Sequence, residues 1–251
     1  MVKYFKLFKT LALTHVWLRG LTNIVSFFAI NQKAFKKIFM LLFPVVVLSG
    51  NLDQFLNLQL EMALNNPDGA QRLIYLYGFL TIVSGAIFPV LLFSLCIFAI
   101  KSQLEDKHSL EEFIAKYLNQ IFIESFRSWG KIILWSLLLI LPGIWKFIEY
   151  SLVPFIVTSL PEYQDGKVDA LRASAKLAKK QYLKTSCVLV IFHLFIPAIL
   201  SVVFDSYRLI WKTPIGSLLL SALDTYLLLL SVQLLFYIFT SEVKKHDQSY
   251  I

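Results

Sequence analysis

Charge is the scarcest feature of this sequence. Only 16% of its 251 residues are Asp, Glu, Lys or Arg, while 57% are hydrophobic and the mean hydropathy is +0.67. An ordinary soluble domain carries about one quarter charged residues. A chain this poor in charge cannot cover a soluble core, so the excess apolar surface is expected to face lipid. Cysteine is nearly absent as well. Cys96 and Cys187 have neither metal-ligand spacing nor a partner framework for disulfides, and both read as buried, inert thiols. His15, His108 and His246 are scattered and form no metal site. The sequence also lacks a glycine-rich phosphate loop, a paired-carboxylate motif and a nucleophile-base arrangement, which argues against an enzyme and against a cofactor.

The net charge is +8 and the pI about 9.4, yet this is not the pattern of a nucleic-acid binder. The basic residues lie between apolar spans instead of along one helix or sheet face. Three long uncharged runs stand out: Leu73 to Ile100, Thr185 to Phe204, and Thr213 to Ser241 with the single interruption Asp224. Each exceeds or matches the roughly 20 residues that a helix needs to cross a bilayer. A fourth run starts at Ile38 and ends amphipathically, with Gly50, Gln54, Asn57 and Glu61 on one helical face. In Ile121 to Leu160, the LPGI sequence divides two apolar halves, and Pro142 with Gly143 is expected to end one helix and begin the next. Glu124, Arg127 and Lys131 form a stripe on the first half that can reach headgroups.

The expected fold is therefore all-α: a polytopic membrane protein of six transmembrane helices, at about 37–60, 73–100, 121–141, 144–160, 185–205 and 214–240. Of the 24 Lys and Arg residues, all but Arg72, Lys146, Arg208 and Lys212 fall before the first span, in 101–131, in 167–184 or after Glu242. That bias places both termini and the two long loops in the cytoplasm of a bacterial inner membrane. Amphipathic interfacial helices are expected at 1–36, at 109–120 with a capping box on Ser109 and Glu112, and at 167–182. In the last, Val168, Leu171, Ala175, Ala178 and Tyr182 share a face, and Arg172, Lys176, Lys179 and Lys180 form a membrane-surface basic group. The partners this implies are membrane lipids, with anionic headgroups on the cytoplasmic side, and no nucleic acid.

Ionisable groups inside spans are the functional leads. Asp53 lies about 24 Å deep counted from Lys37 and Asp224 about 15 Å in from Pro214, at 1.5 Å per residue. Lys146 and Glu149 come just after the expected outer turn, and Asp205 and Arg208 sit at the outer end of the fifth span. Together Asp224, Glu149, Lys146, Asp53, Asp205 and Arg208 make a candidate polar cavity open to the outer side, with Asp224 foremost because Ser217, Ser221 and Ser231 share its stripe. The competing structural reading pairs Lys146 with Glu149 and Asp205 with Arg208, each three residues apart. His193, alone in mid-span, reads as a packing residue. The hairpin has two geometries: a full crossing, or a re-entrant loop that holds Lys146 and Glu149 near the midplane. A charged pair at the midplane needs protein or water around it, so the full crossing is the expectation.

Leu141-Pro142-Gly143-Ile144, a following apolar stretch with Pro154, a short acidic loop and Ala170-Leu171-Arg172-Ala173-Ser174 opening a basic helix resemble a recurrent bacterial pattern. It occurs in the membrane domain beside some glycerophosphodiester phosphodiesterases and in stand-alone inner-membrane proteins. The likeness covers about residues 105 to 200; where that family often has glycine, arginine and an aromatic after the serine helix, this chain has Lys179-Lys180-Gln181-Tyr182. The resemblance implies a six-helix membrane domain with interfacial helices and carries over no catalytic residue. The function expected is a non-enzymatic membrane component that organises or supports lipid or envelope processes; the alternative is a small transporter or ligand-binding protein using the polar cavity.

Overall fold

A computed structural model describes residues 32–65, 67–104, 109–204, 207–208, 210 and 212–248. The expected interfacial helix at 1–36 lies almost wholly outside the described residues, as does Asp205. Contacts divide the chain into two compact units, 1–41 and 42–251, and the account below concerns the second.

The described residues are helical and contain no strand. In order they form α1 (Gln32–Asn65), α2 (Pro67–Leu104), α3 (Leu110–Phe113), a π-helical turn, α4 (Asn119–Leu138), α5 (Ile140–Tyr150) and α6 (Val153–Ser159). The short α7 (Pro161–Gln164) leads to α8 (Ala170–Lys180), α9 (Tyr182–Leu189), a second π-helical turn, α10 (Ile196–Phe204) and α11 (Pro214–Gln248). Among the described residues five helical stretches are long and apolar enough to cross a membrane: Phe39–Asn65, Arg72–Lys101, Ile140–Ser159, Tyr182–Phe204 and Pro214–Val243. This is the architecture of a multi-pass membrane protein, with five such stretches where six were expected. The difference falls on 121–141. Glu124, Arg127 and Lys131 interrupt α4, and its buried positions include the polar Glu124, Ser125 and Ser128.

The break between α4 and α5 comes at Leu139, whose backbone is extended (φ −158°, ψ 140°), three residues before the Pro-Gly pair expected to make it. Pro142 instead sits in the first turn of α5, where its missing N–H leaves no hydrogen bond unmade. Gly143 serves the crossing of α4 and α5: a Cβ there would overlap the Ser136 side chain and lie 2.9 Å from Ser136 Cα. The second break, at Ser151–Leu152, precedes Pro154 near the start of α6. Pro197 follows the π-helical turn Val190–Phe195, which absorbs the hydrogen bond that Pro197 cannot donate. After α7, Gly166 at φ +71° turns the chain toward α8, a conformation that strongly favours glycine.

Phe155, fully buried, anchors the core: its ring meets Phe93 of α2 and Phe236 and Phe239 of α11 at centroid distances of 5.4, 5.7 and 5.9 Å. The buried face of α8 is Ala170, Leu171, Ser174, Leu177 and Ala178, centred on Ser174 and not on the expected Ala175. It packs on α5 and α6, so protein covers it. Cys96 is buried as expected, whereas Cys187 is exposed on the outer side of α9. Position within an apolar span fixes only that a residue avoids water, not that protein surrounds it.

Candidate functional site

The ionisable residues singled out from the sequence separate into two groups. The first surrounds α1 and α11. Arg208, in the loop before α11, reaches Asp224 (Nη1 to Oδ2 3.1 Å) sixteen positions along the chain. The loop is seated by its backbone: Ile210 N–H donates to Asn51 Oδ1 of α1 at 3.2 Å, and Thr213 Oγ1 donates to the Tyr207 carbonyl at 3.0 Å. Gly216 lets Tyr207 lie against α11, since a Cβ there would be 3.3 Å from Tyr207 Cβ. A cavity of about 120 Å³ lies between them, lined by Ser49, Gly50, Asn51, Arg208, Ser217, Ser221 and Asp224. Next to it a second cavity of about 280 Å³ is lined by Asp53, Ser84, Gly85 and Pro89, and shares Ser49 and Gly50 with the first. Asn57 donates to Asp53 at 3.4 Å. Ser217, Ser221, Thr225 and Ser231 of α11 are buried. The hydroxyls of Thr225 and Ser231 bond back to Ser221 and Leu228 carbonyls, which satisfies them without a partner helix.

The second group is built on α5 and α8. Glu149, 1% exposed, accepts from Trp145 Nε1 at 2.9 Å and from Lys146 Nζ at 2.6 Å, and Lys179 Nζ lies 3.4 Å from its other side. Its backbone carbonyl, at the end of α5 where no helical N–H remains to bond it, accepts from Ser174 Oγ of α8 at 2.6 Å. Trp145 stacks on Tyr182 at 4.5 Å, while Lys146 lies 5.8 and 5.7 Å from the ring centres of Trp135 and Tyr150. Lys146 and Glu149 are thus paired three residues apart, as the competing reading had it. They lie beside the basic helix and share no described contact with Asp224. Gln181, next to Tyr182, donates to Glu242, which is about 27 Å along α11 from Asp224.

A third network joins the segments before and after this hairpin. Arg127 bonds Asp169 at 2.6 Å and Glu124 at 3.3 Å, Tyr163 O–H donates to Glu124 at 3.3 Å, and Gln164 meets the Tyr117 hydroxyl at 3.4 Å. Asp169 also caps α8, accepting from Arg172 N at 3.0 Å. Burial raises its carboxyl pKa, but the Arg172 N–H and the Arg127 guanidinium outweigh that and hold it below the usual carboxylate range. Burial, then Glu124, pushes the Tyr163 phenol up.

Of the six residues expected to share one cavity, Asp53, Arg208 and Asp224 surround α1, Lys146 and Glu149 lie elsewhere, and Asp205 is outside the described residues. Arg172, Lys176, Lys179 and Lys180 are exposed along α8, as a membrane-surface group requires. Among the described residues no group of three His, Cys, Asp or Glu could hold a metal ion. Asn51 and Trp145 were not singled out from the sequence, and Ser174 only as part of the Ala-Leu-Arg-Ala-Ser motif. The face read from the sequence did not include Ser174, which the structure places at the centre of the buried face of α8. No protein-family model, curated protein or solved structure matches this chain.

Proposed function

We propose that this chain is a non-enzymatic, multi-pass protein of a bacterial inner membrane, with cytoplasmic termini, that organises or supports lipid and envelope processes. The observation that carries the reading is the mounting of α8. Its apolar face is occupied by α5 and α6, leaving Arg172, Lys176, Lys179 and Lys180 exposed on a helix capped by Asp169 and bolted to Glu149 through Ser174. Cations held in fixed positions beside membrane-spanning helices attract anionic headgroups by about 1 kcal/mol each near a charged surface. The resemblance to the membrane domain found beside some phosphodiesterases supports the same non-catalytic role.

The test is lipid selectivity of the full-length protein in vesicles of phosphatidylethanolamine and phosphatidylglycerol. Phosphatidylglycerol should be enriched around the protein, measured by energy transfer from its tryptophans to labelled lipid. Replacement of Arg172, Lys176, Lys179 and Lys180 by Gln should abolish the enrichment. Equal enrichment in the variant would remove the basis of the proposal.

A second reading, a small transporter or ligand-binding protein, is favoured by one specific feature. The two cavities share Ser49 and Gly50 of α1 and bring Asp53, Arg208 and Asp224 into one polar region. Asp224→Asn should abolish transport and leave folding intact if this reading holds; a fully active variant would count against it.

A further inference from the structure

Ile140–Ser159 is long and apolar enough to cross a membrane, but the contacts on either side of it place both of its ends on one face. Two topologies that include a crossing here each fail on a different set of contacts. If Ile140–Ser159 crossed alone, the segments before Ile140 and after Ser159 would lie on opposite sides of the bilayer. They touch directly: Arg127 bonds Asp169 at 2.6 Å, Glu124 bonds Tyr163 at 3.3 Å, and Tyr117 meets Gln164 at 3.4 Å.

If α4 crossed as well, making a full hairpin, those contacts would survive, but Trp145 would lie only about 9 Å and Glu149 about 15 Å from the far-side turn at Leu139. Trp145 instead stacks on Tyr182, the first residue of the span Tyr182–Phe204, and Glu149 meets Lys179 of the basic helix. At the other end the Thr158 carbonyl accepts from Lys101, the last residue of the span Arg72–Lys101. These span ends share a face. Gln181 bonds Glu242 in the last turn of the span Pro214–Val243. Phe155 touches both Phe93 and Phe239, which are about 12 and 5 Å along their helices from Lys101 and Glu242. Helix α8 fixes the level of the hairpin. Its exposed face carries Arg172, Lys176, Lys179 and Lys180 and cannot enter hydrocarbon, yet its start touches Arg127 of α4 and its end touches Glu149 of α5.

We propose that Ile140–Ser159 does not cross, that the described residues cross the membrane four times, and that the α4–α5 hairpin lies along the basic face with its tip, Leu137–Leu141, among the acyl chains of that leaflet alone. This rests on the lipid-directed reading above and gives it a mechanical element, a wedge in one monolayer. The tip is five consecutive apolar residues, each between 67% and 79% exposed. Trp135 and Trp145 flank it at the depth where indole rings sit, with Lys131 exposed behind Trp135. Hydrocarbon is the occupant because the tip continues the lipid-facing surface that begins at Tyr182, and because the surrounding cations match the headgroups of the same leaflet. Parity agrees independently. Without a crossing at Ile140–Ser159 the basic stretches 101–131, 167–184 and 242–251 fall on one face, whereas a lone crossing there would divide them.

The test uses the full-length protein in sealed vesicles of phosphatidylethanolamine and phosphatidylglycerol, with Cys96→Ala and Cys187→Ala as background and an environment-sensitive fluorophore on single cysteines. Leu139→Cys probes the tip, Lys176→Cys the basic face and Tyr75→Cys the opposite end of α2. Impermeant dithionite should bleach the Leu139 probe from the same side as the Lys176 probe, and lipids brominated on the acyl chain should quench it. Bleaching from the Tyr75 side would show that the hairpin crosses and overturn the proposal. Quenching by aqueous iodide with none by brominated lipid would put the tip in water and overturn the wedge. Ile140→Cys serves if Leu139→Cys does not fold. Sidedness and depth are read without reference to lipid selectivity, so this proposal and the headgroup-binding role can fail separately.

Discussion

Glu149→Gln removes one charge from a site that the rest of the fold has built around it, and its cost can be worked out from the neighbours. Glutamine keeps the shape and an acceptor oxygen for Trp145 Nε1, so that hydrogen bond survives. What is lost is the counter-charge to Lys146, 2.6 Å away and 25% exposed, and to Lys179, 3.4 Å away and 62% exposed. An exposed pair such as Lys179 contributes roughly 0.2–1 kcal/mol. Removing one partner of a buried pair costs roughly 3–5 kcal/mol, because the remaining charge is stranded. Lys146 escapes part of that penalty. Its stem can extend toward headgroups, and the Trp135 and Tyr150 rings at 5.8 and 5.7 Å offer cation–π attraction of about 0.5–1 kcal/mol each. The net expectation for Glu149→Gln is a loss of about 2 kcal/mol. Lys146→Met combined with Glu149→Gln should recover more than half of it, since no stranded cation remains. Unfolding by dodecyl sulfate in mixed micelles, followed by tryptophan fluorescence, measures both. A single variant within about 0.5 kcal/mol of the parent, or a double variant no more stable than the single, would refute the stranded-charge reasoning.

Asp169 separates a capping role from an ion-pair role. Asp169→Asn keeps the cap on Arg172 N and loses only the partly exposed Arg127 pair, at a cost of under about 1 kcal/mol, whereas Asp169→Ala loses both, about 1–2 kcal/mol, in the same unfolding assay. Because the folded carboxyl titrates below its unfolded value, the contribution of Asp169 is present above the unfolded pKa near about 4 and is lost as pH falls through the lower folded value. Asp169→Asn should therefore lower stability at neutral pH and flatten the acid limb, the variant and the parent converging as pH falls through the folded pKa. Gly143→Ala pushes a methyl into Ser136 and should cost about 1–3 kcal/mol, with Ser136→Gly in the same chain restoring only part of it because the Ser136 Cα would still lie 2.9 Å away; a neutral Gly143→Ala would mean that the two helices do not cross there. Phe155→Ala empties the meeting point of α2, α6 and α11 and should cost about 3 kcal/mol, the low end for a buried phenylalanine, because between apolar helices in lipid the loss is chiefly one of packing. Far-ultraviolet dichroism should stay unchanged while the unfolding midpoint falls.

Local chemistry in this chain was legible where the partner lies on the same helix and illegible where it does not. The long apolar runs, the Ser109–Glu112 capping box and the Lys146–Glu149 pair all follow from spacing along one helix. Arg208 shows the limit. Its guanidinium reaches Asp224, sixteen residues further along the chain, because the Ile210 N–H bonds Asn51 and draws the loop inward. The Pro-Gly pair shows another. Both residues are read as turn formers, but proline fits the first turn of a helix and glycine also marks close approach, and α5 uses them in those second roles. Crossing is the deepest case, since apolarity reports only that a segment avoids water, and a helix threaded through lipid and one lying beneath a bundle satisfy that condition equally. What separates them is which polar groups meet across the segment, and Arg127 with Asp169 are forty-two residues apart in sequence. Charge parity is the one sequence signal that senses such a contact, because it constrains the count of crossings without naming them. It argues for an even number and does not distinguish four from six; under the proposed topology the choice falls to Trp145 on Tyr182 and Lys179 on Glu149, which a full hairpin would hold at different depths of the bilayer.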